Sequence, residues 1–101
     1  MRIMLACNAG MSTSLVVSRM QEAAEQQGKD YKIWATEEGE IPEELGNFDV
    51  LLLGPQVRHI LRRVTKLVGD QAKVAVIDAP SYGKCDGAAV LAQAEKLYQE
   101  G

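Results

Sequence analysis

Arg2-Ile3-Met4-Leu5-Ala6-Cys7, followed at once by Asn8-Ala9-Gly10-Met11-Ser12, is the stretch that decides the fold. A short apolar run that breaks into a loop of mostly small or polar residues reads as a buried strand ending in a turn. From Thr13 the pattern changes period. Val16, Met20, Ala23 and Ala24 fall on one face of a helix, and Gly28 supplies its stop. Lys29 to Thr36 alternates weakly and predicts a second, edge-like strand.

The same alternation continues to the end of the chain. An acidic segment, Glu37 to Asn47, allows one short helix around Pro42 to Leu45. Asp49 to Leu53 is a strongly apolar strand closed by Gly54-Pro55. Val57, Ile60, Leu61, Val64, Leu67 and Val68 then mark an amphipathic helix. Lys73 to Asp78 is a fourth strand, Pro80 to Lys84 a fourth loop. Asp86 caps a final helix through Gln99 with Val90, Ala94 and Leu97 inward. Strands alternating with helices predict an α/β fold with a parallel sheet covered on both faces. Right-handed crossovers gather the loops after Cys7, Thr36, Leu53 and Asp78 on one rim, where ligands of such folds bind.

The 101 residues suit one domain spanning 1–101, and 47% hydrophobic with 25% charged residues is ordinary globular usage. A net charge of -3 without a basic tail argues against nucleic acid as a partner. The apolar run at the N-terminus is too short for a signal peptide, and none approaches the roughly 20 residues that span a bilayer. The reading is cytoplasmic, with no direct membrane insertion. In that reducing setting Cys7 and Cys85 do not imply a disulfide, and the question becomes whether one of them is reactive.

Cys7-Asn8-Ala9-Gly10-Met11-Ser12-Thr13-Ser14 places a cysteine between a strand end and a helix N-terminus. Backbone N–H groups of such a loop converge on an anion, and the helix dipole adds positive potential. The same field favours thiolate, which makes Cys7 a candidate nucleophile. Ser12, Thr13 and Ser14 offer hydroxyls to phosphate oxygens or to helix capping. A strand-end cysteine is also an ordinary core residue, so the loop alone leaves both readings open. A cysteine phosphatase would place an arginine six positions after its nucleophile to clamp the phosphoryl group; Thr13 stands there. A thiophosphate formed on Cys7 would persist until a partner collected it, which is carrier chemistry.

At these residues the chain resembles the lactose/cellobiose-type IIB subunits of the bacterial sugar phosphotransferase system. Asp49-Val50-Leu51-Leu52-Leu53-Gly54-Pro55-Gln56, Val76-Ile77-Asp78, Tyr82-Gly83-Lys84 and Asp86-Gly87 are further matches in the family's order. The resemblance implies a four-stranded sheet of order 2-1-3-4, with helices on both faces, similar to low-molecular-weight tyrosine phosphatases. It implies a phosphotransferase that needs no cofactor. Cys7 accepts phosphate from a phosphohistidine IIA protein and donates it to a sugar, a disaccharide or β-glucoside, on the IIC membrane transporter. That partnership places the chain at the inner face of the membrane. The implied phosphate site runs from Asn8, Ala9, Gly10 and Met11 to Ser12, Thr13 and Ser14, with Gln56, Tyr82 and Gly83 beside it. Cys85 stands where the resemblance expects no cysteine.

Other residues carry weaker signals. His59, the only histidine, falls inside the Val57 to Val68 helix as a solvated position, and with two distant cysteines it makes no metal site. Arg58, Arg62, Arg63 and Lys66 give that helix a basic face, read as solvated, with partner docking as the alternative. Trp34 and Tyr31 are expected to pack against the sheet. Two competing functions stand beside the carrier: a thiol redox protein using Cys7 and Cys85, although no Cys-x-x-Cys motif supports it, and a non-catalytic anion-sensing domain.

Overall fold

The computed structural model describes residues 1–8 and 11–100, with the backbone but not the side chains of Met11 and Ser12. Four parallel strands, β1 (Arg2–Cys7), β2 (Lys32–Glu37), β3 (Val50–Leu53) and β4 (Lys73–Val76), form one sheet in the order β2-β1-β3-β4. The predicted strand order is the observed one. β1 lies inside the sheet between β2 and β3, pairing with β2 from Arg2–Lys32 to Cys7–Glu37 and with β3 from Ile3–Val50 to Ala6–Leu53.

Residues on alternate sides of β1 feed two separate cores. Ile3 and Leu5 join Val50 and Leu52 beneath α1 (Met11–Gln26) and α4 (Gly87–Gln99). Met4 and Ala6 join Leu51, Leu53 and Phe48 beneath α2 (Leu61–Val68). The four residues read as the inward face of α1 are all buried, as are Val90 and Ala94 of α4. Helix α1 ends as the glycine predicts: Gly28 sits at φ +69, its N–H donates to the Glu25 carbonyl, and the N–H of Lys29 donates to that of Ala24. These two bonds satisfy carbonyls that a helix end would otherwise leave open.

Several boundaries differ from the sequence reading. β2 begins at Lys32 rather than Lys29 and extends through Glu37, because its hydrogen-bonded partner β1 sets its length. The acidic segment forms a 3₁₀ helix over Glu38–Glu44 that buries only Ile41. The stretch expected as one helix from Val57 starts as a 3₁₀ helix, Pro55–Ile60, and becomes α-helical at Leu61. His59 therefore lies in a tight turn, not in the helix proper. Leu67 is exposed and Leu61 and Leu97 only half-buried, so the inward stripes are narrower than predicted. β4 ends at Val76, and the fourth loop is a short helix, α3 (Ala79–Gly83).

Candidate functional site

Cys7 closes β1 at the rim where the strands end, and only 1% of its surface is exposed. Its Sγ lies 3.2 Å from Oγ1 of Thr13, a fully buried residue in the first turn of α1. Strand end and helix start are thus tied through the two side chains that bracket the loop. A hydroxyl at that distance donates to a thiolate or accepts from a thiol, so Thr13 serves the sulfur in either state. Asn8 and Ser14 are exposed on either side. Ala9 and Gly10, both expected in the phosphate cradle, lie outside the described residues.

The loop after β3 reaches the same place. The N–H of Gly54 donates to the Ala6 carbonyl at 2.8 Å, which holds the end of β3 against β1. A Cβ on Gly54 would stand 2.9 Å from Oε1 of Gln56 and 3.2 Å from Cβ of Cys7. A side chain at 54 would have to displace the end of Gln56 and crowd Cys7, so glycine leaves room for both. The amide of Gln56 donates from Nε2 to the hydroxyl of Tyr82 at 3.4 Å. Tyr82 is itself buried, carried by α3, whose N-terminus is capped by Asp78: Oδ2 accepts from the Ser81 N–H at 3.2 Å and from its hydroxyl at 2.7 Å.

Three strand ends therefore converge, with Cys7 and Thr13 on one side and Gln56 and Tyr82 on the other. Gly83, one residue further, is exposed at the end of α3. The sequence reading missed Gly54 and Asp78 as parts of this arrangement. Their signals were present in the Gly-Pro pair after an apolar strand and in the Asp-x-x-Ser spacing of a helix cap.

Known proteins resemble this chain over nearly its whole length. The family model described as PTS system, lactose/cellobiose specific IIB subunit, matches residues 2–93. The chain belongs to that IIB family. IIB components are phosphotransferases of sugar transport, and this one is an enzyme of that class. It is 47% identical over 105 residues to the galactose-specific EIIB component of Lactococcus lactis subsp. cremoris, with 94% of each chain covered. Identity to the oligo-beta-mannoside-specific EIIB component of Bacillus subtilis is 39% over 98 residues, covering 95% of this chain and 94% of the other. The lactose-specific IIB domain from Streptococcus pneumoniae has the same fold, with a TM-score of 0.85 at 16% identity over 98% of each chain. The cellobiose-specific IIB component from Borrelia burgdorferi superposes with a TM-score of 0.79 at 33% identity, covering 97% of this IIB chain and 91% of the other.

The remaining candidates fall away from the rim or lack partners for chemistry. His59, Arg62, Arg63 and Lys66 are exposed along α2 and the turn before it, and none forms an ion pair among the described residues. Trp34 packs against the α2-side core and Tyr31 against the other, as expected. Among the described residues no three His, Cys, Asp or Glu side chains gather as metal ligands. No helix among them is long and apolar enough to cross a membrane. Cys7 and Cys85 are not joined in a disulfide, and Cys85 sits half-buried at φ +51 just after α3.

Proposed function

We propose that this IIB subunit is a phosphocysteine carrier. Cys7 takes a phosphoryl group from a phosphohistidine on a IIA protein and passes it to a sugar held by the IIC membrane transporter. The observation that carries the reading is the position of the Cys7 sulfur, at the strand end beside the first turn of α1 and 3.2 Å from the Thr13 hydroxyl. In the first step the thiolate attacks phosphorus, the P–N bond to histidine breaks, and the imidazole leaves. In the second a sugar hydroxyl attacks the same phosphorus, the P–S bond breaks, the thiolate returns, and the proton of the sugar hydroxyl passes to water. Charge on the three phosphoryl oxygens would be met by backbone N–H groups from Asn8 to Thr13 and by hydroxyls of Ser12, Thr13 and Ser14. Gln56, Tyr82 and Gly83 flank that cradle.

Residues 1–101 act as one IIB unit in this scheme, in the cytoplasm and at the inner membrane face through the transporter. Of the relatives' names, the cellobiose-specific one fits a disaccharide or β-glucoside as substrate, and the galactose- and oligo-beta-mannoside-specific ones widen the class to other sugars. The competing redox reading is weaker because the two thiols belong to different cores, Cys7 with the α2 side and Cys85 against the α1–α4 side. Mass spectrometry after incubation with phosphorylated IIA tests the proposal. The wild-type chain and Cys85→Ser should gain one phosphoryl group, and Cys7→Ser none. Labelling that survives Cys7→Ser overturns the carrier role of Cys7; loss of two hydrogens instead of a gain establishes redox chemistry.

A further inference from the structure

We infer that Gln56 binds the phosphoryl group on Cys7 through its side-chain amide, and that Tyr82, acting through Gln56, is a positioning residue. The inference deepens the carrier reading and rests on it. Oε1 of Gln56 and Cβ of Cys7 lie 2.9 Å and 3.2 Å from the single point where a Gly54 Cβ would be, so they are at most 6.1 Å apart. The amide of Gln56 is therefore beside the nucleophile, although the two lie 49 positions apart in sequence.

The bond from Nε2 of Gln56 to the Tyr82 hydroxyl, at 3.4 Å, is at the long end of the hydrogen-bonding range. A long neutral bond holds the amide loosely enough for it to adjust towards a charge-assisted partner, whose bond is roughly twice as strong. The two ends differ in freedom. Tyr82 is 8% exposed and sits on the capped α3, whereas Gln56 is exposed on the turn after β3. Tyr82 is the fixed post and Gln56 the arm. An amide carries two N–H donors, so one can stay with Tyr82 while the other reaches a phosphoryl oxygen.

A neutral donor also suits a carrier. A guanidinium would hold the dianion in the loaded state, whereas an amide supports the oxygens in both transfers without a fixed charge that opposes release. Gly54 makes this possible, since a side chain there would displace the Gln56 amide group, and with it the Nε2 donor, from its place beside Cys7.

Phosphoryl acceptance from phosphorylated IIA, followed by rapid quench, gives the first readout. Gln56→Ala should slow it roughly ten- to hundredfold, near the cost of removing one oxyanion donor, with the thermal midpoint unchanged. Tyr82→Phe should slow it less, and adding it to Gln56→Ala should cost nothing further in rate. The second readout is the Gln56 side-chain NH2 signal in an amide NMR spectrum, assigned by its loss in Gln56→Ala. On loading it should shift and exchange more slowly with solvent. If the wild-type chain does not load on Cys7 at all, the carrier reading fails. If it loads, but Gln56→Ala accepts phosphate at the wild-type rate and the amide signal does not move, the carrier stands and the role of Gln56 is refuted.

Discussion

Thr13 is a hydroxyl with no exposed surface, and burying such a group is unfavourable unless it is hydrogen-bonded. Its contact with the Cys7 sulfur meets part of that need and at the same time supplies a donor to the nucleophile. Thr13→Val keeps the shape and removes the donor. It should cost roughly 1–2 kcal/mol of stability in a urea titration, and slow phosphoryl acceptance by about tenfold. A variant that lost stability alone would make Thr13 a core residue and no more. Cys7 was legible in the sequence as a strand-end cysteine before a small-residue loop. Its partner was legible only as one of three hydroxyls, because which of Ser12, Thr13 and Ser14 turns inward depends on the rotation of α1 about its axis. That rotation is set by Val16 and Met20 seating in the core.

The elements that carry the site are fixed by contacts between distant segments. Gly87, the first residue of α4, lies so close to α1 that a Cβ would meet the backbone of Arg19, 2.3 Å from its carbonyl carbon. Neither backbone can yield without moving a helix. Gly87→Ala should therefore destabilise the fold by about 3 kcal/mol, the upper range for overpacking. Asp86→Ala, which removes only the cap accepted from the Ala89 N–H, should cost about 1 kcal/mol. Equal losses for the two in chemical denaturation would show that α1 and α4 separate more easily than their contact implies. The end of β4, an edge strand, is finished by a side chain: Gln93 donates to the Val76 carbonyl at 2.8 Å and accepts from the Asp78 N–H at 2.9 Å. This amide replaces a missing strand and steadies the start of α3, which carries Tyr82.

For the whole molecule, two charged clusters set the response to acid. Arg2 forms an ion pair with Asp49 at 2.9 Å across the starts of β1 and β3, and Lys29 and Tyr31 both bond to Glu95 of α4. The hydrogen bond from Lys29, helped by that from Tyr31, holds Glu95 below its ordinary 4.5 despite partial burial, and that from Arg2 holds Asp49 below 3.8. Both carboxyls bind protons less tightly folded than unfolded. Their contribution is therefore complete above pH 4.5 and fades as pH falls through the lower folded values. Glu95→Gln should cost roughly 1 kcal/mol at pH 7 and progressively less as pH falls below 4.5, as read from urea midpoints between neutral and acid pH. An unchanged difference at low pH would mean that packing, not charge, is lost. By itself the sequence determined the four strands, the helices between them, the rim they share and Cys7 upon it. Those features follow from local period and from apolar runs, which report how deeply each segment is buried. Only the tertiary structure decided that Gly54, Gln56 and Tyr82 meet beside Cys7, that residues 55–60 coil as a 3₁₀ turn, and that Gly87 must be glycine. These depend on how closely one layer approaches another, a distance set by all the side chains between them and written in no single stretch of chain.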